Sequence, residues 1–231
     1  MDAEAQTVCV EWGVEMMRRT LVTWFSRLTT YARGKEILIV GPGSAGKTKL
    51  AQYLRWGALD PEGQRDMTYC VTKSPAFVMG IGREQGLILR VRRAVDTPGQ
   101  VGPRHHAILV GRRKPHAVVV MLDCSSSISA TVRWLCLFCN SLDTVLRKGS
   151  YAARRLDAIV VLLNKRDKID SGESDELREA VRQVLNQYLS VPLGVERVSS
   201  IPILECVSVQ TGRGTTLIDG VIAQLTEKLA T

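Results

Sequence analysis

The residues with the clearest chemistry lie in Gly41-Pro42-Gly43-Ser44-Ala45-Gly46-Lys47-Thr48, a run with the spacing G-x-x-x-x-G-K-[ST]. Glycines at these positions let the chain curl so that successive backbone N–H groups face one point, which is what a string of phosphates requires. The β-branched run Ile37-Leu38-Ile39-Val40 precedes the loop and a helical pattern from Lys47 to Arg55 follows it. The loop therefore opens a helix, whose N-terminus adds partial positive charge. In that setting Lys47 reaches the β- and γ-phosphates of a nucleotide and Thr48 offers its hydroxyl to a magnesium ion. Gly41, Gly43, Ser44, Ala45, Gly46 and Lys49 complete this candidate nucleotide-binding set. A glycine turn with no ligand would explain neither the adjoining Lys-Thr nor the strand before it.

Further along, Asp96-Thr97-Pro98-Gly99-Gln100 gives the pattern D-x-x-G at the end of an apolar run. Asp96 is placed to hold magnesium, Gly99 to bring a bare N–H against the γ-phosphate, and Gln100 to orient an attacking water. Alone, the tetrapeptide would read as an ordinary Pro-Gly turn. Downstream of a phosphate loop it supplies the other half of a hydrolytic site, with Gln100 and Lys47 as candidate catalytic residues. The purine is then chosen by Asn164-Lys165-Arg166-Asp167. The Asp167 carboxylate can accept from the N1 and N2 donors of guanine, and adenine offers no such pair, so GTP is favoured over ATP. Asn164 steadies the base edge and the loop, and the aliphatic stem of Lys165 covers the ring. The looser Ser208-Val209-Gln210-Thr211-Gly212 follows the last strand, where backbone N–H groups can meet guanine O6; a plain strand-to-helix turn explains it almost as well.

These loops need strands to carry them. Short apolar runs at 37–40, 87–95, 117–122, 158–163 and 203–209 read as strands buried on both faces. Helical patterns at 47–55, 128–146, 175–189 and 215–229 lie between most of them. The alternation predicts an α/β fold: a doubly wound, mostly parallel six-stranded sheet, nucleotide loops at the carboxyl ends of its strands. One antiparallel edge strand, 77–82, joins 87–95 through the turn Arg83-Glu84-Gln85-Gly86. Before the sheet, Val10, Val14, Met17, Leu21, Trp24, Leu28 and Tyr31 recur at steps of four and three, the stripe of an amphipathic helix ended by Gly34. The expected organisation is that helix over 1–34 and a nucleotide-binding domain over 35–231.

With 231 residues and 45% hydrophobic content the chain can bury one full core. No apolar run reaches the roughly 18–20 residues that span a bilayer and no cleavable leader is visible, so a soluble, cytoplasmic protein is expected. In that compartment the six cysteines read as thiols, and the lone pair Cys136/Cys139, without a second pair or a histidine, as small core side chains rather than a zinc site. The net charge of +8 permits attraction to anionic partners. Its basic clusters lack interleaved aromatics, so nucleic acid is not an expected partner.

Taken together, the residues resemble the P-loop small GTPases, and within them the ADP-ribosylation-factor (Arf) family and the related bacterial gliding-motility GTPases. Shared with Arf proteins are the amphipathic helix before the first strand, Ala45-Gly46-Lys47-Thr48, Gln100 after D-x-x-G, and Thr211-Gly212-Arg213-Gly214 leading into the last helix. The resemblance implies a GTP/GDP switch with magnesium as cofactor and slow hydrolysis. It also implies base recognition by Asn164, Lys165, Asp167, Ser208 and Val209. An exchange factor, an activating protein and an effector follow as partners, with peripheral membrane contact through the first helix. Departures are Pro98, where Arf proteins have glycine, Val209, where alanine is usual, and Asp2, which excludes myristoylation of a second-position glycine. Switch I should supply a threonine to magnesium; Thr72 is the choice, with Thr68 and Ser74 open. The competing expectation is an interaction subunit similar to the β subunit of the signal-recognition-particle receptor, in which nucleotide is a structural ligand.

Overall fold

The computed structural model describes residues 34–56, 70–81, 87–148 and 150–206, together with Ala223 and Leu229. The amphipathic helix expected over 8–33, Thr68, the turn 83–86, and Ser208, Val209 and Gln210 lie outside the described residues.

Seven strands and six helices are assigned among the described residues. In chain order they are β1 (Lys35–Val40), α1 (Lys47–Trp56), β2 (Thr72–Lys73), β3 (Phe77–Ile81), β4 (Leu87–Asp96), α2 (Pro103–Arg113) and β5 (Ala117–Asp123). There follow α3 (Ile128–Lys148), α4 (Ser150–Arg155), β6 (Ala158–Asn164), α5 (Ser171–Leu193), α6 (Val195–Ser199) and β7 (Ile203–Cys206). The sheet runs β2-β4-β1-β5-β6-β7, with β3 also paired to β4. All neighbours are parallel except β2 and β3 against β4.

The two antiparallel strands are one edge strand in two pieces. Thr72 pairs with Asp96, Lys73 with Val95 and Phe77 with Val91, so the register runs on unchanged across the gap. Pro75 falls at a position whose missing N–H would face away from β4, so it is tolerated on this edge. Ser74 bridges the gap: its N–H donates to Ala94 O at 2.9 Å and its hydroxyl accepts from Ala94 N, also at 2.9 Å. The sheet is thus six positions wide with one antiparallel edge, as the sequence predicts.

Strands β1, β5 and β6 read as unbroken apolar runs because both faces are covered. Leu38, Val40, Val118, Val120, Val161 and Leu163 pack on the side of α2, α3 and α5. Ile37, Ile39, Val119, Met121, Val160 and Leu162 face the other way, towards Leu50, Tyr53 and Leu54 of α1 and Leu229. Each such side chain, removed from water, stabilises the fold by about 1.5–3 kcal/mol. The parallel register aligns the strand ends on one edge, with Ile39 beside Asp96, Asp123 beside Asn164, and Asn164 beside Cys206. Every candidate loop of the described chain leaves from that edge, where α/β sheets bind ligands.

Helix α2 is absent from the sequence reading. Pro103 at its first turn, Gly111 near its end and the unpatterned Ala107-Ile108-Leu109-Val110 hide its period. Helix α5 starts earlier than expected because Asp170 and Glu173 form a reciprocal capping box, Glu173 N to Asp170 Oδ1 at 2.8 Å and Asp170 N to Glu173 Oε2 at 3.2 Å. Among the described cysteines, Cys139, Cys124 and Cys206 are buried, Cys136 is half-buried and Cys70 exposed, all as free thiols. No described helix is long and apolar enough to cross a membrane.

Candidate nucleotide site

The loop from Gly41 to Gly46 turns sharply into α1. Ser44 and Gly46 take left-handed backbone angles, φ 59° and 95°, and Leu50 N donates to Gly46 O at 3.0 Å to start the helix. Gly46 is needed twice over: a side chain would be strained at that angle, and its Cβ would fall 2.7 Å from Asn164 Nδ2. Lys47 is buried and folds back over the loop, its Nζ donating to Pro42 O at 2.6 Å. Burial lowers its pKa to about 8, against the opposing charge of Asp96. Lys49, on the first turn of α1, is half-buried.

The D-x-x-G element reaches the same place from β4. Thr48 Oγ1 donates to Asp96 Oδ2 at 2.6 Å, so two of the three residues expected to hold magnesium are in contact. A hydroxyl and a carboxylate are the oxygen donors a hard divalent ion takes, and this pair fits one. Buried Thr97, which the sequence reading passed over, donates from Oγ1 to Ile39 O at 2.8 Å and clamps the end of β4 to β1. Gly99 lies directly against the phosphate loop. A Cβ there would collide with Gly43 Cα, and would fall 2.7 Å from Gly43 N and 2.8 Å from Lys47 Nζ. Gln100 is exposed on the turn before α2. Thr72 is exposed on the edge strand opposite Asp96, whereas the Ser74 hydroxyl is engaged by Ala94.

At the other motif, Asn164 ends β6 fully inside the protein, and its Nδ2 donates to Ala45 O at 2.9 Å. Its Oδ1 is a buried acceptor with no hydrogen-bond partner among the described residues, the kind of atom a ligand or a neighbouring loop satisfies. Lys165 follows in the left-handed conformation, φ 61°, which throws its side chain across to β5, where Nζ meets Asp123 Oδ2 at 2.6 Å. Asp123 is itself held by Ser125, whose N–H and hydroxyl donate to Oδ1 at 2.9 and 2.6 Å. Asp167 sits on the following 3₁₀ turn, exposed at the rim, 3.7 Å from Lys168 Nζ. Glu205 of β7 ties this loop to its neighbours by bonds to Arg178 and Ser174 of α5 and an ion pair with Arg166 at 3.4 Å. Burial would raise its pKa, but those hydrogen bonds and the charges of Arg178 and Arg166 hold it below the usual carboxylate range. Asp123 and Glu205 were missed from sequence; the visible signal was an acid at the carboxyl end of each of two strands flanking β6.

This arrangement sets Gly99 against Gly43 and Lys47, Thr48 on Asp96, and Asn164 against Ala45 and Gly46. Against solved structures, the chain is similar to translation elongation factor SelB from Methanococcus maripaludis, in complex with the GTP analogue GppNHp, over 83% of its length. The identity is 14% and the TM-score 0.51. A bacterial selenocysteine-specific elongation factor EF-Sec matches over 84% at 16% identity and TM-score 0.52. The fold is that of a P-loop GTPase. The chain spans only 33% and 29% of the lengths of these two elongation factors. No protein-family profile matches this GTPase-fold chain, and no curated protein does.

Proposed function

We propose that the chain binds GTP and GDP with magnesium and acts as a switch that hydrolyses GTP slowly. The observation that carries this reading is the buried bond from Asn164 Nδ2 to Ala45 O, which joins the guanine-reading loop to the phosphate loop. Two separate sequence motifs become one site through it, beside the Thr48–Asp96 pair.

In this reading the N–H groups from Gly43 to Thr48 and the ammonium of Lys47 bind the β- and γ-phosphates. Asp167 accepts from guanine N1 and N2, and Lys165, anchored by Asp123, lays its stem along the ring. Ser208, Val209 and Gln210 contribute N–H groups to the base. Thr48, Asp96 and Thr72 hold the magnesium ion, which neutralises phosphate charge when bound. Gln100 orients the water whose oxygen attacks the γ-phosphorus, and Gly99 N–H steadies the phosphate as the bond to the β-phosphate oxygen breaks. Turnover is on the order of 10⁻⁴–10⁻² s⁻¹ without an arginine from an activating partner. An exchange factor and an effector complete the cycle. The Arf-like detail rests on Gln100, on Thr211-Gly212-Arg213-Gly214, and on the stripe at 8–33, which gives a peripheral membrane or partner contact.

Single-turnover hydrolysis of GTP tests the reading. Gln100→Leu should slow phosphate release by at least tenfold with GTP affinity kept. An unchanged rate in the presence of cell extract would contradict switching and point to the interaction-subunit alternative.

A further inference from the structure

His106 of α2 is fully buried, and no motif accounts for it. Its Nε2 lies 3.1 Å from Pro98 O. A carbonyl oxygen only accepts, so the proton sits on Nε2 and the imidazole donates. Its Nδ1 is left buried with no hydrogen-bond partner among the described residues, an arrangement packing alone gives no reason to keep. Behind it, Trp134 of α3 leans on the ring at 54° with centroids 5.6 Å apart, and Trp134 is stacked on Phe138 at 5.5 Å. The imidazole is thus held from the core side and aimed at one carbonyl. Burial lowers its pKa to about 4, the Pro98 bond opposing and the charges of Lys47 and His105 assisting, so the ring is neutral at neutral pH.

Pro98 O belongs to the peptide that carries Gly99 N. That peptide is planar and trans, so its C=O and N–H point in opposite directions, and whatever anchors the oxygen fixes the heading of the N–H. Gly99 itself lies close against Gly43 and Lys47, so the heading of its N–H is set beside the Gly41–Thr48 loop.

We propose that His106 is a positioning residue: by holding Pro98 O it presents Gly99 N–H to the γ-phosphate, and so lets the site tell GTP from GDP. This rests on the GTP reading above. Only the triphosphate has a group for that N–H to meet, so the latch contributes to GTP binding and not to GDP binding.

The test is a pair of dissociation constants on the full chain with magnesium, one for GDP and one for a non-hydrolysable GTP analogue. His106→Leu should weaken the analogue about tenfold while GDP changes by less than about twofold, the loss of one hydrogen bond. His106→Gln, whose Nε2 can reach the same carbonyl, should restore the ratio to within about threefold of wild type. Equal weakening of both nucleotides, or a glutamine variant no better than leucine, would overturn the proposal. Should the leucine variant fail to fold, Trp134→Leu, which keeps the imidazole but removes its backing, should shift the ratio the same way by a smaller factor; an unchanged ratio would also overturn it. A wild-type chain that binds neither nucleotide defeats the GTP reading itself, whereas normal binding with an unmoved ratio defeats only the latch.

Discussion

The proposed phosphate half and the proposed base half of the site are built by different means. Around the Gly41–Thr48 loop, contact is uncharged and close to the backbone: Gly99 on Gly43, Gly46 beside the Asn164 amide, and the Thr97 hydroxyl on the Ile39 carbonyl. Around the base, loops are spaced by charged side chains: Lys165 on Asp123, and Arg166 and Arg178 on Glu205. At Gly46 and Gly99 the first half has no room for a side chain. The second depends on charge. They meet at Asn164 and Ala45, where one buried amide carries the connection.

Removing a charge from the crowded half should cost most. Lys47→Ala should weaken GTP and GDP on the order of a hundredfold or more by titration calorimetry, since a buried ammonium is lost from the phosphates. Asn164→Ala should come next, lowering stability by about 1–3 kcal/mol in urea melts and weakening both nucleotides, because Ala45 O and the loop lose their shared donor. Glu205→Gln should cost least, about two- to fivefold in affinity, since its partners are part-exposed and screened. A larger loss for Glu205→Gln than for Asn164→Ala would reverse the comparison.

A pH profile sharpens the same contrast. The free Lys47 pKa is lowered to about 8, and phosphates raise it on binding, so binding takes up a proton above that pH. Affinity should be flat with respect to this group below about pH 8 and fall as pH rises beyond it, by up to tenfold per unit. Fluorescent-nucleotide titrations from pH 7 to 9.5 check this, and Lys47→Arg should remove the slope because guanidinium keeps its charge.

Motifs whose residues are neighbours in the chain were legible in the sequence. The phosphate loop carries its own strand and helix, and β1, β5 and β6 announce themselves because burial on both faces demands unbroken apolar runs. Contacts created by strand order were not. Nothing near Asn164 in the chain points to Ala45; β6 reaches the phosphate loop across β5 only once the sheet is laid out. Helix α2 was hidden by Pro103 and Gly111, and with it His106. The capping signature of Asp170 and Glu173 was present and unread. The edge strand also reaches back to Thr72, ahead of the expected 77–82, with Ser74 bonded to Ala94 between the two pieces.

Guanine selection by Asp167 is tested most directly by competition binding of GTP, ATP and XTP to the wild-type and Asp167→Asn chains. Wild type should prefer GTP over ATP by at least a hundredfold. The asparagine variant should lose most of its GTP affinity and gain XTP binding, because xanthine presents a carbonyl where guanine presents its amino group. Retained GTP selectivity in the variant, or equal binding of ATP and GTP by wild type, would contradict it.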